Sequence, residues 1–372
     1  MTSPDTSPLA TPIDPHTTPF VTRDGADLVV DGQPFHFSGP NIYWLGSDSR
    51  ELGHPDRPYN PREFLIDSAL DAAVATGAGV VRSHTLGISL GAPGTFEPEL
   101  GQFDPEAFRS ADYALAGAAR RGIRMMIPLT DQWRYHHGGI NTRTAWRGFP
   151  NQPEDATNTV NAINNGHQRA AEAHFYDDQQ LRDDHKRYIA NILDHVNPHT
   201  GLAWRDDPTI LAWETGNEIS TAYDEWTADI AHFIRHEKGA KQLIADGTAS
   251  NRWDVHHSAL GCEDVDIVGI HYYPVNVEWG VRNGRVARKA GKVFVVGEYD
   301  WRDLDATRAL HAAAEEERWA GTLFWSIFPR DEQGEPIPHG DGFTVHVPGT
   351  DDRMNAAIDL FRGHGERMAA LR

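Results

Sequence analysis

Two glutamates occupy sequence positions typical of paired catalytic carboxylates. Glu218 comes shortly after the apolar run Ile210–Trp213, Glu298 comes shortly after the apolar run Val293–Val296, and each precedes a loop-like stretch. Two carboxyl groups can cleave a glycosidic bond, because one protonates the leaving oxygen while the other attacks the anomeric carbon. A single such glutamate is more often a solvated charge, so this prediction depends on the two occurring together.

Other residues with chemically useful side chains stand at the ends of similar apolar runs. In chain order they are Asn41, Arg82, His84, Asp131, Trp133, Asn217, His271, Tyr273 and Trp325. If the runs are parallel strands, their carboxyl ends share one rim, and these side chains can meet there.

The apolar runs alternate with amphipathic or alanine-rich stretches. The eight runs are Phe35–Ser38, Gly79–Arg82, Arg124–Leu129, Ile210–Trp213, Gln242–Ala245, Asp266–Ile270, Val293–Val296 and Thr322–Trp325. The clearest helical stretches are Pro61–Thr76, Pro105–Arg121, Asp177–Val196 and Asp352–Leu371. This alternation predicts the α/β class and a (β/α)8 TIM barrel. An open doubly wound sheet is the alternative, but no glycine-rich phosphate motif follows the first run.

Three further segments complete the predicted organisation. The stretch Asp27–Phe37 predicts an N-terminal β-hairpin around an Asp-Gly turn. The segment Tyr135–Gly166 is too long for a plain connection, which predicts a long functional loop on the barrel rim. Residues 1–19, rich in Pro and Thr, are interpreted as a disordered or loosely docked tail, and residues 20–372 as a single catalytic domain. The tail lacks the basic start and apolar core of a secretory signal, which predicts a cytoplasmic location.

Composition narrows the possible partners. The chain of 372 residues has 34 Lys and Arg against 54 Asp and Glu, a formal net charge of −20. Without a basic stretch it is not expected to bind nucleic acid, and without an apolar run of about 18 residues it is not expected to enter a membrane. Cys262 stands alone, so cysteine-built metal sites and intrachain disulfides are excluded. An acidic surface does not hinder a neutral sugar substrate.

The histidines do not predict a metal site. The chain has 20 His, including the adjacent pairs His136-His137 and His256-His257, but no H-E-x-x-H motif. Because neighbouring side chains on a helix or strand do not face the same way, we expect no metal ion at these pairs.

The motifs around the two glutamates resemble those of glycoside hydrolase family 5, in clan A. The similarity is to its β-mannan-cleaving branches, the mannanases and β-mannosidases, and extends from Phe20 to the end of the chain. The segments that carry it are Val30–Leu45, Asp207–Glu214, His271–Pro274, Val296–Glu298 and Phe324–Ser326.

The resemblance implies a role for each matching residue. Glu218 corresponds to the acid/base and Glu298 to the nucleophile of a retaining double displacement that needs no cofactor. The remaining positions imply substrate-binding or supporting roles: Arg82 and Tyr273 beside the nucleophile, His271 beside the acid/base, Asn217 on the sugar 2-hydroxyl, Trp325 as the floor and Trp133 as a further sugar contact. Glu214 is interpreted as a buried carboxylate below the site, with direct sugar contact as the alternative.

Two positions depart from the family pattern. His84 replaces the usual aromatic two residues after the strand-two arginine, and Ile219 replaces the usual proline after the acid/base. Both line the cleft, so the subsites for a longer chain are expected to differ. Among other tryptophans, Trp44 and Trp301 fit sugar stacking and core packing equally well, whereas Trp204 and Trp213 are interpreted as core residues.

The sequence favours an exo-acting β-mannosidase on short oligosaccharides. The absent secretory signal, the long loop after the third run and the two departures all favour release of single mannose units over internal cleavage. An endo-β-1,4-mannanase, a β-glucoside or diglycoside hydrolase of the same family, and a non-catalytic sugar-binding barrel are the alternatives. Because a silent relative is expected to have lost one glutamate, the last is disfavoured.

Overall fold

Eight parallel strands form the centre of the protein, in a computed structural model that describes residues 11–48, 52–133, 135–149, 173–220, 224–249 and 254–371. The strands are β1 Phe37–Pro40, β2 Val80–Arg82, β3 Arg124–Pro128, β4 Ile210–Glu214, β5 Leu243–Asp246, β6 Ile267–Tyr272, β7 Val293–Asp300 and β8 Gly321–Trp325. Their order is β1-β8-β7-β6-β5-β4-β3-β2. Main-chain bonds from Gly79 N to Ser38 O and from Ile42 N to Arg82 O, both 2.9 Å, join β1 to β2. The predicted (β/α)8 barrel is confirmed.

Helices follow the strands along the chain, as the alternating pattern predicted. The α-helices are Glu63–Ala75, Arg109–Arg120, Ile140–Trp146, Gln179–Asp194, Asp224–His232, His257–Gly261, Val277–Lys289, Leu304–Glu316 and Asp352–Ala369. Shorter helical turns are Pro105–Phe108, His84–Leu86 and Trp204–Asp206, and a π-helical turn spans Phe233–Glu237. Gly77 and Gly122 follow two of the helices with φ of 77° and 70°, a conformation that suits glycine and ends a helix. None of the helices in the described ranges is both long and apolar enough to cross a membrane.

A small antiparallel sheet precedes the barrel. The predicted hairpin is present as Asp27–Val30 paired with Gln33–Pro34, and a third strand, Thr22–Asp24, pairs with the other side of Asp27–Val30. The buried Val21 and Leu28 of this region belong to the same apolar cluster as the barrel interior. Because that cluster includes residues at the amino ends of the strands, the sheet packs at the end of the barrel opposite the predicted site.

Two predicted segments fall only partly within the described residues. Of the predicted tail over residues 1–19, residues 1–10 lie outside them; Ile13 is buried, and its N–H donates to the oxygen of Ala119 at 2.8 Å. Of the predicted rim loop Tyr135–Gly166, residues 150–166 lie outside them. The described part of that loop forms the helix Ile140–Trp146 rather than an irregular excursion.

Candidate active site

The fully buried Arg82, the last residue of β2, connects most of the polar groups at the carboxyl rim. Its Nε and Nη2 donate to the two carboxylate oxygens of Glu214, at 2.7 and 3.1 Å. Its Nη1 donates to Oε1 of Glu298 at 2.8 Å and to Oδ1 of Asn41 at 3.1 Å, and its Nη2 donates to Oδ1 of Asn217 at 2.8 Å. One guanidinium therefore fixes two carboxylates and two amides.

Glu298, on β7, is held in its ionised form. Besides Arg82 at Oε1, its Oε2 accepts a hydrogen bond from the hydroxyl of Tyr273 at 2.8 Å, and Nδ1 of His271 lies 3.5 Å away. Burial alone would raise the pKa of Glu298, but the positive charges of His271 and Arg82 outweigh it and hold the pKa well below its usual range. Burial raises the pKa of Tyr273 well above its usual value, so the phenol keeps the proton that it donates.

Glu218 lies across the barrel mouth from this group. Its Oε2 accepts from the indole Nε1 of Trp133 at 2.5 Å, and its Oε1 is 2.7 Å from Nδ1 of His271. Burial lowers the pKa of His271, but the nearby charge of Glu298 and the hydrogen bond to Glu218 outweigh it, and the net shift is upward. Oxygens of the two glutamates lie within 4.8 Å of each other.

The backbone around Glu218 explains how its side chain is aimed. Glu218 has φ of 52°, a left-handed conformation that non-glycine residues adopt only where the surroundings hold it. Directly after it, Ile219–Ser220 pairs in parallel with Thr248–Ala249, and Ile219 N donates to Gly247 O at 3.1 Å. A Cβ at Gly247 would lie 1.5 Å from the oxygen of Gly216, so this close approach requires glycine.

Asn217 is held at both ends of its amide. Its Oδ1 accepts from Arg82, and its Nδ2 donates to Oδ1 of Asp131 at 3.1 Å. Asp131 also accepts from Trp133 N at Oδ1, at 2.9 Å, and contacts Nε2 of His137 at Oδ2, at 2.9 Å. Burial raises the pKa of Asp131 to about 7.

Trp325, at the end of β8, provides a flat apolar surface beside the carboxylates. Its ring stacks with Tyr43, with centroids 5.7 Å apart and planes 11° apart, and its Nε1 donates to Oδ2 of Asp341 at 2.9 Å. His84 packs against the same indole with ring centroids 5.3 Å apart. The surface is suited to the apolar face of a sugar ring.

His84 and Ile219, which depart from the family pattern, have different surroundings. His84 is buried, and its Nε2 lies 2.9 Å from Arg82 Nη1, which shares its two hydrogens among His84, Glu298 and Asn41; a neutral ring with its lone pair on Nε2 can make this contact. Burial lowers the pKa of His84, which favours this neutral form. Ile219 is also fully buried, directly after Glu218, so it affects the site through packing.

The other tryptophans considered in the sequence analysis, and Glu214, are buried and do not offer a surface for a sugar. Trp44 is fully buried, with its Nε1 donating to Ile327 O at 3.2 Å, so it belongs to the core. Trp301 is 6% exposed and bonds to Phe343 O. Trp204 and Trp213 are fully buried, as predicted, and Glu214 is paired with Arg82 beneath the two glutamates.

Several residues at the site had no role in the sequence prediction. Asp131 was recognised as a strand-end residue only, His137 was considered only as part of a histidine pair, and Tyr43, His339 and Asp341 were assigned no role. His339 and Asp341 lie in the connection after β8, which has no periodic pattern. Tyr43 and His137 follow the predicted positions Asn41 and Trp133 by a few residues, and that short spacing is the one signal that points to them.

Three groups of histidine and carboxylate atoms among the described residues lie within 4.8 Å of one another, close enough to hold a cation. They are Glu218, His271 and Glu298; His84, Asp131 and His137; and His232, His236 and Asp264. Hydrogen bonds already join members of each group, and Arg235 lies 3.5 Å from Asp264. The absence of a metal cofactor stays a prediction.

Arg82 generates a stability prediction. Replacing it by Met leaves Glu214 and Glu298 buried without their cation, which should lower the free energy of unfolding by about 3–5 kcal/mol. Urea denaturation measures this loss. The control is Arg308→Met, which removes an exposed ion pair with Asp305 and should cost less than about 1 kcal/mol. Equal losses in the two variants would contradict the role assigned to Arg82.

Known proteins resemble this chain in sequence. A mannan endo-1,4-beta-mannosidase 3 from Oryza sativa subsp. japonica is 26% identical over 285 residues, which is 69% of this chain and 55% of the relative. The chain thus spans a little over half the length of that relative.

Solved structures share the fold. The endo-beta-1,4-mannanase from Thermotoga petrophila superposes with a TM-score of 0.70 at 23% identity, over 91% of this chain and 78% of the other. The glycoside hydrolase family 5 mannosidase from Rhizomucor miehei superposes with a TM-score of 0.71 at 19% identity, over 94% and 97%. A family model described as GH family 5 beta-mannosidase-like matches residues 18–295. The chain belongs to this β-mannosidase-like group of glycoside hydrolase family 5.

Proposed function

We propose that the protein is a retaining glycoside hydrolase that cleaves β-mannosidic linkages, with Glu298 as nucleophile and Glu218 as acid/base. The observation that carries this proposal is that two facing carboxylates differ in burial and in their hydrogen-bond partners. Glu298 is buried and bonded to Arg82 and Tyr273, whereas the Glu218 side chain is 21% exposed and accepts bonds from Trp133 and His271. Paired carboxyls in different environments are what an acid and a nucleophile require.

In the first step, a carboxylate oxygen of Glu298 attacks the anomeric carbon while Glu218 gives its proton to the departing glycosidic oxygen. The bond to the leaving group breaks as the glycosyl-Glu298 ester forms. A retaining pair is about 5–5.5 Å apart, whereas an inverting pair needs roughly 6.5–9.5 Å to admit water. One oxygen of Glu218 lies within 4.8 Å of one oxygen of Glu298, which leaves little room for a water between them and supports the retaining mechanism.

In the second step, Glu218 removes a proton from water, and the water oxygen attacks the anomeric carbon and releases Glu298. The bond from Tyr273 and the charge of Arg82 stabilise the carboxylate that leaves. The residues needed for both steps are supplied by the chain itself.

The remaining side chains fit a neutral sugar. We assign the 2-hydroxyl to Asn217, which precedes Glu218 and is bonded to Arg82, and the floor under the sugar ring to the Trp325 indole. Support for mannose comes from the family match and from the mannan-cleaving activities after which the relatives are named. A β-glucoside hydrolase of the same family is the second candidate, because the same pair of catalytic carboxylates can act on different sugars.

The roles of the two glutamates can be separated by azide rescue. Glu298→Ala should lose several orders of magnitude in rate, because it removes the group that forms the intermediate. Glu218→Ala should still form the intermediate from an aryl β-mannoside with a good leaving group, and azide should speed its turnover to give a β-mannosyl azide. Product analysis by NMR and initial rates measure both effects.

Glu214→Gln is a useful control in that experiment, since it alters a buried carboxylate of the same site that has no place in either step. It should give no azide product. A β-azide formed by Glu298→Ala, with no effect of azide on Glu218→Ala, would reverse the assignment.

We further propose that the enzyme acts from the non-reducing end on short β-mannosides. Since Glu218 protonates the leaving group, the leaving group lies on the β4 side, and any further sugar on the non-reducing side extends toward Trp325 and β8. On that side Tyr43 stacks on Trp325 and its hydroxyl lies 3.0 Å from Nε2 of His339, while His136 lies 6.3 Å from the Tyr43 ring. Side chains from three different loops thus form a wall, which favours a pocket over an open groove.

Digestion of mannohexaose tests this mode of action. An exo-acting enzyme should release mannose first and shorten the chain by single units. Removing the wall with Tyr43→Ala and His339→Ala should raise the share of mannobiose, whereas the exposed His232→Ala should leave the product pattern unchanged. Early mannobiose and mannotriose from the wild type, or a rapid fall in the viscosity of polymeric mannan, would favour the endo alternative. The cytoplasmic location predicted from the sequence stays a prediction.

A further inference from the structure

Asp131 is a buried carboxylate with no role in the two chemical steps described above. It lies just beyond the end of β3, and its exposed fraction is 0%. Two N–H groups donate to its Oδ1, from Asn217 Nδ2 and Trp133 N, and His137 Nε2 lies 2.9 Å from its Oδ2. A carboxylate is buried without a cation only where such bonds compensate its desolvation, so the arrangement calls for a function.

The amide of Asn217 explains what the carboxylate does. Its Oδ1 already accepts from Arg82 Nη2, whereas Nδ2 carries two hydrogens that the amide can donate. One of those two hydrogens is bound by Asp131, which leaves the other for a sugar hydroxyl. Arg82 fixes the oxygen end and Asp131 fixes the nitrogen end, and together they set the plane of the amide.

We propose that Asp131 is a positioning residue, which aims the Asn217 amide at the 2-hydroxyl of the sugar. The proposal rests on the proposed function, because it needs a sugar bound beside Glu218 and Glu298. Asp131 itself touches neither the substrate nor the reacting atoms. Its effect is expected in the transition state, where the bond to the 2-hydroxyl strengthens.

The surrounding chain holds Asp131 in place. The oxygen of His137 accepts from Leu90 N at 3.0 Å, and the oxygen of Asp131 accepts from Ile140 N at 3.1 Å. A Cβ at Gly139 would lie only 2.5 Å from that same main-chain oxygen of Asp131. Because glycine has no Cβ, the loop can pass close to Asp131 at this point. The loop after β3 therefore holds Asp131 in position through main-chain hydrogen bonds, and Asn217, just after β4, bonds to its carboxylate.

The protonation state of Asp131 does not alter this role. Oδ2 faces His137, so an added proton resides on the oxygen away from Asn217, and Oδ1 still accepts from both N–H groups. Asp131→Asn should therefore work almost as well, with its amide oxygen at the Oδ1 position and its NH2 donating to the other tautomer of His137. Asp131→Leu has a similar shape but no acceptor.

The experiment compares two substrates that differ only at carbon 2, an aryl β-mannoside and its 2-deoxy analogue. Asp131→Leu should lower kcat/KM roughly 10- to 100-fold on the mannoside, mainly through kcat, and less than about threefold on the 2-deoxy substrate. Asp131→Asn should stay within about threefold of the wild type on both. In the double variant with Asn217→Ala, Asp131→Leu should add no further loss.

Asp131→Ala, which is smaller and has no side-chain acceptor, serves as the second acceptor-free variant if Asp131→Leu does not fold. Equal losses on the two substrates, or losses that multiply in the double variant, would overturn the proposal. A wild type that does not hydrolyse the β-mannoside would instead overturn the proposed function, so the two failures are distinguishable.

Discussion

The buried guanidinium of Arg82 is the interaction on which the rest of the site depends. Several carboxylates in a dry barrel mouth repel one another, and each pays a desolvation penalty unless a cation and hydrogen bonds compensate it. Arg82 bonds to Glu214 on one side and Glu298 on the other, and orients Asn217 between them. The same contacts keep Glu298 ionised, so the stability of this region and its chemistry have a common cause.

The barrel supplies what a single arginine cannot, which is the convergence of side chains from distant parts of the chain. Arg82 ends β2, Glu214 ends β4 and Glu298 lies on β7, yet all three meet within hydrogen-bond distance. Glu218 reaches the same space through a left-handed backbone that the close approach of Gly247 supports. A rigid scaffold of this kind holds charged groups before the substrate arrives, which is the main source of electrostatic catalysis.

The strands and most helices could be predicted from sequence because their patterns are local. The eight apolar runs match the eight strands to within a few residues at each end. The bond between Asp131 and Asn217 could not be predicted, since it joins residues 86 positions apart through the path of a loop. Asp341 was missed for the same reason: nothing in its neighbourhood indicates that the connection after β8 returns to Trp325. His84 was noted as a departure, but its bond to Arg82 depends on a tautomer that only the packing selects.

The central claim is that Glu298 forms a covalent intermediate, so that two inversions return the anomeric carbon to its starting configuration. The most direct measurement is proton NMR of the first product released from an aryl β-mannoside, recorded before mutarotation mixes the anomers. A retaining pair should release β-mannose first, with the α-anomer appearing only later. If α-mannose appears first, water attacks in a single step, and the assignment of Glu298 as nucleophile is wrong.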